Sequence, residues 1–211
     1  MNKDMAHKIA QVAGIKTPSA IVIVKGSKDQ NIFEQTQCFK YPLFVKPLKS
    51  GSSLGISKVY GRNYLIEAVK AAFLHGDQVI IEENIEGFEV GCAVLGNDNL
   101  IIGEVDEIEL TDGFFDFDKK YTLKTSNIHM PARIDVLQAE KIKEAATIIY
   151  KALECKGFAR VDMFLTPNGE IIFNEVNTIP GFTSHSRYPN MLKGIGLSFE
   201  DIVDKLLTLA I

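Results

Sequence analysis

The sequence predicts an α+β protein whose sheets are mostly antiparallel. Three patterns carry this prediction: β-prone runs flank Asn168-Gly169, strand-like runs flank the Gly/Ser segment 48–55, and two more flank the turn 96–99. Short connections of this kind join neighbouring antiparallel strands, and Asn-Gly is a strong hairpin signal. The acidic segment 82–87 indicates a hinge between two sheets. We therefore expect two subdomains, residues 1–87 and 88–211.

The first predicted subdomain mixes helices with short buried strands. Its expected elements are a helix over 4–13 that ends before Gly14, a strand over Ala20–Val24, a polar connection over 26–40, strands over Leu43–Pro47 and 56–60, a helix over 63–74 and a strand over 79–81. Short apolar runs indicate the strands. Apolar residues at helical spacing that end before a glycine indicate the helices.

The second predicted subdomain is richer in hairpins. Its expected elements are strands over Phe88–Leu95 and 100–109, a long helix capped by Asp135 that runs to about Glu154, strands over 159–165 and 170–176, and a closing helix with a capping box of Ser198 and Asp201. Residues 110–131 have no clear period, and a segment of that length predicts a functional lid or binding loop.

Composition excludes several functional classes. The chain has 211 residues, 46% hydrophobic and 24% charged, as in an ordinary globular protein. A net charge of −4 without a dense Lys/Arg run argues against nucleic-acid binding. No apolar run is long enough to cross a membrane and residues 1–20 lack a secretory pattern, so we expect a cytoplasmic protein. Cys38, Cys92 and Cys155 suggest neither a disulfide framework nor a zinc site.

The hairpin around Asn168-Gly169 predicts a metal site. With a two-residue turn, Asp162 faces Glu175 and Arg160 faces Asn177, all on one face of the sheet. Two carboxylates directly opposite each other repel, and a divalent cation would offset this repulsion. Oxygen ligands favour Mg²⁺ or Mn²⁺ over Zn²⁺. The alternative is that both acids lie on an ordinary solvated face.

Two loops have compositions suited to anion binding. The segment 177–186 combines Gly181, which permits close backbone approach, with hydroxyl groups and His185, the one histidine with suggestive neighbours. Segment 48–55 is a Gly/Ser loop preceded by Lys46, and its N–H groups can bind phosphates. The alternatives are an ordinary turn and a hairpin loop that binds nothing.

Six stretches together resemble the ATP-grasp D-alanine:D-alanine ligase family. They are PLFVKP, SGSSLGISKV, VIIEENIEGFEV, FFDFDKKY, GFARVDMF and FNEVNTIPGFTSHS, in the family's order over nearly the whole chain. The resemblance implies an ATP-grasp fold with ATP between two sheets. It covers the family's central and C-terminal domains, and the N-terminal domain that helps hold the first amino acid would precede Asn2.

The resemblance also implies roles for the matching residues. Contacts to adenine are implied for Glu82, Glu83, Asn84 and Ile85, and Glu89 would lie near the ribose or close the lid with Tyr121 and Ser52. Phosphate binding and loop cover are implied for Lys3, Lys46, Lys120, Ser52 and Ser53. Two Mg²⁺ (or Mn²⁺) ions are implied at Asp162, Glu175 and Asn177. Arg160 and the Gly181 backbone are implied to stabilise charge on the reacting carboxyl. Ser186 is implied to bind the carboxylate of the second substrate, and Tyr121 and Ser52 to close the lid. Glu83 departs from the lysine that many members have.

The activity implied is phosphorylation of a D-alanine carboxylate by ATP, followed by attack of a second amine on the acyl phosphate. Positioning and charge neutralisation carry such reactions. The combination of Arg187, which follows Ser184-His185-Ser186, and Phe115 resembles the vancomycin-resistance D-alanine:D-serine ligases. Asp106 would hold the arginine in position. An arginine beside the second subsite would hydrogen-bond a serine hydroxyl. The alternative is a structural ion pair, with D-alanine as the second substrate.

Two further functional hypotheses stay open. One is a Mg-nucleotide-binding module without ligase activity, because the first-substrate domain of the family is missing. The other is a metal-binding structural domain. The expected partners are D-alanine and D-serine, the N-terminal domain of the same protein and, in the full-length protein, a second copy in a homodimer.

Overall fold

A computed structural model describes residues 1–51, 54–110 and 126–210. Its contacts group the described chain into two compact units. One unit contains Met1–Ala6 and Pro18–Ile85, and the other contains His7–Thr17, Glu86–Glu109 and residues 127–210. Each unit is described separately below.

The first unit is a four-stranded antiparallel sheet with helices. Its elements in chain order are β1 Ala20–Val24, α2 Asp29–Thr36, β2 Leu43–Pro47, β3 Ser57–Val59, α3 Arg62–Ala72 and β4 Gln78–Glu83; helix α1 Lys3–Val12 precedes them. The strand order is β1-β4-β2-β3. Strand side chains on one face of the sheet, such as Val45 and Ile81, form a buried core with Ile32 of α2 and Val69 of α3. The opposite face of the sheet therefore carries the polar side chains Lys46 and Glu82.

The second unit is a five-stranded antiparallel sheet between helices. Its elements are β5 Phe88–Leu95, β6 Ile101–Leu110, β7 Ser126–His129, α4 Val136–Ala152, β8 Phe158–Leu165, β9 Ile171–Asn177, α5 Arg187–Lys193 and α6 Phe199–Leu209. The strand order is β7-β6-β5-β8-β9. Asp135 caps α4 by accepting a hydrogen bond from the Gln138 N–H at 2.8 Å, and Ser198 with Asp201 forms the predicted capping box of α6.

Helix α5 lies against the face of this sheet that carries the charged residues. Ala93 and Leu95 of β5 pack with Tyr188, Met191 and Leu192 of α5 and Ile202 of α6. Side chains alternate along a strand, and cross-strand partners point the same way. The pairs Gly91↔Asp162 and Ala93↔Arg160 therefore place these charges on the α5 side. We call this surface the carboxylate face; it consists of Glu89, Asp106, Arg160, Asp162, Glu175 and Asn177.

Two sequence predictions about the first unit were wrong. The expected polar connection contains helix α2, where Ile32 is buried and Phe33 packs partly against the core. One short apolar pair in a polar stretch is too little for a helical period to be recognised. Strand β4 also extends through Glu82 and Glu83, which were predicted to belong to the hinge.

The β8–β9 hairpin has the predicted pairing, but its turn differs from the predicted one. The turn contains three residues, since the Thr166 N–H donates to Glu170 O at 3.0 Å and Gly169 takes the left-handed conformation with φ 76°. That turn alone would place Asp162 opposite Asn174. A bulge between the pairs Met163↔Phe173 and Asp162↔Glu175 adds one residue to β9 and restores the predicted partners.

Within residues 1–51, 54–110 and 126–210, every helix is too short or too polar to cross a membrane.

Candidate active site

The hairpin brings four of the predicted site residues together. Asp162 faces Glu175 and Arg160 faces Asn177, as predicted. Arg160 donates from Nε and Nη2 to the two oxygens of Asp162 at 2.7 and 2.8 Å. Asn177 donates from Nδ2 to Asp162 Oδ2 at 2.6 Å. The Asp162 carboxylate, 2% exposed, thus accepts hydrogen bonds from a guanidinium and an amide.

Arg187 joins three acidic side chains of the carboxylate face. Its Nε and Nη2 each donate to Asp106 at 2.7 Å, and its Nη1 donates to Glu89 at 3.1 Å and lies 3.5 Å from Asp162 Oδ1. Burial of Arg187 opposes its charge, but the neighbouring carboxylates, Asp106 foremost, raise its pKa well above the ordinary value. The guanidinium is therefore a fixed cation.

Gly91 makes room for this arginine. An added Cβ would lie 2.8 Å from Asp106 Oδ1 and 2.9 Å from Met191 Cε, and it would also collide with Arg187 Nη2. The absence of a side chain on Gly91 thus lets the guanidinium lie close to the backbone of β5. Sequence reasoning did not identify Gly91, although a glycine inside an apolar strand signals close approach of another group.

The segment after β9 folds back on itself around Ser186. The Ser186 hydroxyl accepts from the Thr183 N–H at 3.0 Å and lies 2.9 Å from Thr183 Oγ1. A Cβ on Gly181 would lie 2.9 Å from the same hydroxyl. Gly181 and Ser186 are thus close together. Phe182 anchors the segment through ring contacts with Phe158, Tyr188 and Phe199, while His185 is exposed.

The first unit contains a second buried charge pair. Lys46 Nζ lies 2.5 Å from Glu82 Oε2, with the two side chains 10% and 2% exposed. Lys3 Nζ donates to the main-chain oxygen of Ser50 at 2.6 Å, at the start of the Gly/Ser segment. Of the three lysines predicted to bind phosphates, Lys3 and Lys46 are therefore buried and hydrogen-bonded, and Lys120 lies outside the described residues.

The remaining predicted residues have less specific surroundings or are not described. Glu83 Oε1 accepts from the Ser19 N–H at 2.8 Å, and Asn84 and Ile85 are half-buried in the connection after β4. Five predicted site residues lie outside the described part of the chain: Ser52, Ser53, Phe115, Lys120 and Tyr121.

The chemistry of the hairpin donors fits a hard divalent cation. In the described residues no three His, Cys, Asp or Glu side chains are arranged to hold a metal ion. A ligand set here must therefore include an amide oxygen beside the Asp162 and Glu175 carboxylates. Among the described contacts, Asn177 uses its amide nitrogen towards Asp162, which leaves its oxygen for a cation. All-oxygen sets of this kind suit Mg²⁺.

Comparison with protein families gives one match that covers nearly the whole chain. Residues 9–208 match the model described as D-ala D-ala ligase C-terminus. Among curated proteins, the chain is 43% identical to the vancomycin C-type resistance protein VanC2 of Enterococcus casseliflavus and 38% identical to D-alanine–D-alanine ligase A of Escherichia coli. It is covered completely in both comparisons but spans 60% and 58% of those proteins.

Solved structures agree with this relationship. The chain is 58% identical to the VanG D-Ala:D-Ser ligase from Enterococcus faecalis, with a TM-score of 0.92, and covers 62% of that chain. It is 30% identical to the D-alanine–D-alanine ligase from Coxiella burnetii, with a TM-score of 0.87 and 56% of that chain covered. The α+β architecture with antiparallel sheets is thus the ATP-grasp fold of these ligases.

Proposed function

We propose a function from one premise: the chain belongs to the D-ala D-ala ligase C-terminus family. The protein is an ATP-dependent ligase that joins D-alanine to a second D-amino acid, with D-serine preferred, in peptidoglycan precursor synthesis and vancomycin resistance. This chain supplies the ATP-binding and catalytic portion. Because it spans about three-fifths of its curated relatives, the complete reaction is proposed for the complete protein.

The hairpin observations carry the catalytic part of the proposal. Asp162, Glu175 and Asn177 would hold the two Mg²⁺ (or Mn²⁺) ions, which when bound neutralise charge on the ATP phosphates. Arg160 lies on the same face, bonded to Asp162 at 2.7 Å, so it can stabilise negative charge on the D-alanine carboxyl as the acyl phosphate forms. The Gly181 backbone and the Ser186 hydroxyl would position the substrates.

The first unit supplies the nucleotide-binding side chains in this proposal. Lys46 and Lys3 would neutralise phosphate charge, and the chain around Glu82–Ile85 would contact adenine. The Lys46 ammonium is held by Glu82 at 2.5 Å, so its position is set before a phosphate arrives. Ser52, Ser53, Lys120 and Tyr121 are proposed to cover the phosphates and to exclude water from the acyl phosphate.

Arg187 carries the preference for D-serine. Its bidentate pair with Asp106 at 2.7 Å fixes the guanidinium plane, and its described hydrogen bonds leave N–H donors over for a hydroxyl. A site built to bond that hydroxyl rejects an analogue that lacks it, because a buried polar group is then left unpaired. The resemblance of 58% to a D-Ala:D-Ser ligase supports this assignment.

The first experiment is calorimetric titration of the chain with a non-hydrolysable ATP analogue, with and without Mg²⁺. We expect binding that requires Mg²⁺ and that is lost in the double variant Asp162→Asn, Glu175→Gln. Metal-independent binding that the double variant retains would overturn the ligand assignment. Dipeptide formation is then measured, since nucleotide binding without dipeptide synthesis by the full-length protein would favour the binding module.

The substrate preference needs a separate test in the full-length protein. Replacing Arg187 by Met together with Asp106→Asn removes the hydroxyl donor and the charge of its bidentate partner, while Asp162 keeps its hydrogen bonds from Arg160. We expect the ratio of kcat/KM for D-serine over D-alanine to fall about 10- to 100-fold. An unchanged ratio would mean that the ion pair is structural.

A further inference from the structure

His7 of helix α1 contacts the hairpin through its side chain. The residue is 3% exposed, and its Nε2 lies 2.9 Å from the main-chain oxygen of Asn174 in β9. A carbonyl oxygen only accepts hydrogen bonds, so Nε2 carries the proton. The ring also meets Phe173 edge to face, with centroids 5.6 Å apart and an interplanar angle of 75°.

The residue that His7 contacts is the extra residue of the β9 bulge. Asn174 falls between the cross-strand pairs Met163↔Phe173 and Asp162↔Glu175. A bulged residue is left out of the regular ladder, so its main-chain groups need partners from elsewhere. The His7 imidazole supplies one for the carbonyl oxygen.

The bulge is also supported by the main chain of residues 7–17. The Phe173 N–H donates to Lys16 O at 2.8 Å, and Lys16 forms a parallel bridge with Ile172. Strand β9 is the last in the strand order β7-β6-β5-β8-β9, so these contacts line its outer edge. His7 bonds the position immediately before Glu175.

We propose that His7 is a positioning residue for the metal-binding hairpin. By holding the carbonyl of Asn174, it keeps the bulge in place, and the bulge alone turns Glu175 and Asn177 towards Asp162. Without the bulge, Glu175 would face Val161 and Asn177 would leave the carboxylate face. The consequence for metal binding rests on the proposed function of Asp162, Glu175 and Asn177.

The test is titration of the chain with Mn²⁺ in the presence of a non-hydrolysable ATP analogue, followed by electron paramagnetic resonance. His7→Phe keeps an aromatic ring against Phe173 but removes the donor, and we expect the Mn²⁺ affinity to fall about 10-fold or more. His7→Gln keeps an N–H donor and should restore most of the affinity. Lys16→Met is the matched control, because it removes only the exposed pair between Lys16 and Glu170 at the far end of the hairpin.

Amide hydrogen exchange at Glu175, Val176 and Asn177 gives a second readout that does not depend on metal. Exchange should be faster in His7→Phe than in the wild type, and His7→Gln should reverse this. Wild-type Mn²⁺ affinity and wild-type exchange rates in His7→Phe would overturn the proposal. If the wild type itself binds no Mn²⁺, the metal assignment fails, and the exchange rates alone decide the role of His7. Should His7→Phe not fold, His7→Met provides an apolar side chain of greater flexibility.

Discussion

Gly91 lies next to the guanidinium of Arg187, and a methyl group added at this position would collide with the ion pair between Arg187 and Asp106. A Cβ at Gly91 would lie 2.8 Å from Asp106 Oδ1, well inside van der Waals contact. Because neither Asp106 nor the backbone of β5 can move far in a packed sheet, the arginine must give way.

Replacing Gly91 by Ala is therefore expected to displace Arg187 from Asp106. In the full-length protein, the ratio of kcat/KM for D-serine over D-alanine should fall in the same direction as in the Arg187 variant. The free energy of unfolding should fall by about 1–3 kcal/mol, as for other overpacked sites. Steady-state kinetics with both amino acids and urea denaturation would measure the two effects.

Gly76→Ala is the matched control for this substitution. Its added Cβ would lie 4.0 Å from the nearest heavy atom, the Gln78 oxygen, and its φ of 163° is extended backbone. Both the stability and the substrate preference of this variant should match the wild type. A Gly91→Ala protein that behaved like Gly76→Ala would show that Arg187 does not need its present position.

Asp106→Asn tests the electrostatic partner of Arg187 directly. The carboxylate is 1% exposed and bonded to Arg187 through both oxygens. Neutralising Asp106 leaves the buried Arg187 charge facing only Glu89 at 3.1 Å and Asp162 at 3.5 Å, so we expect the free energy of unfolding to fall by up to about 3 kcal/mol. Adding Arg187→Met should recover part of that loss, and strictly additive losses in the double-mutant cycle would contradict the coupling.

Acid should weaken the charge cluster beside strand β7. The hydrogen bond from His129, with a further one from Arg133, lowers the pKa of Glu109 from 4.5 to about 2. A carboxyl whose pKa is lower in the folded state stabilises the fold above pH 4.5, and this stabilisation is lost as the pH falls towards 2. The stability difference between the wild type and Glu109→Gln should therefore shrink over this range. Urea denaturation at a series of pH values would reveal it, and a constant difference would argue against the cluster.

The N-cap of helix α6 should make a measurable local contribution. The Ser198 hydroxyl accepts from the Asp201 N–H at 3.0 Å, as part of the capping box. Ser198→Ala should lower the free energy of unfolding by about 1 kcal/mol. Ser198→Thr keeps the hydroxyl, which also donates to Asp201 Oδ2 at 2.7 Å, and should stay near the wild type; equal losses in both variants would assign the effect to something other than capping.

The sequence predicted those features that depend on local patterns. The strands and the capping residues Asp135 and Ser198 follow from neighbours in the chain. The pairing of Asp162 with Glu175 was predicted from a two-residue turn, but the structure reaches it through a three-residue turn and a bulge. The Arg187 to Asp106 pair was also anticipated, because the family resemblance placed both side chains at one subsite.

Features that depend on long-range packing could not be predicted in this way. The sequence carries no sign that His7 would bond Asn174, 167 positions away, or that Glu89 would share Arg187 with Asp106. Helix α2 was missed because few of its side chains are buried, and tertiary contacts rather than periodicity stabilise it.

The three-residue turn and the Asn174 bulge have a joint consequence for the register of this hairpin. Compared with a two-residue turn and a regular strand, the turn and the bulge each shift the pairing of β9 with β8 by one residue, in opposite directions. The two shifts therefore cancel. If Pro167 left the turn and paired with Glu170, with the bulge retained, β9 would shift by one residue and Val176 instead of Glu175 would face Asp162. A compensated change, in which one residue leaves the turn and the bulge is removed as well, would keep the carboxylates opposed. The opposition of Asp162 and Glu175 therefore requires that the three-residue turn and the Asn174 bulge either both be present or both be absent.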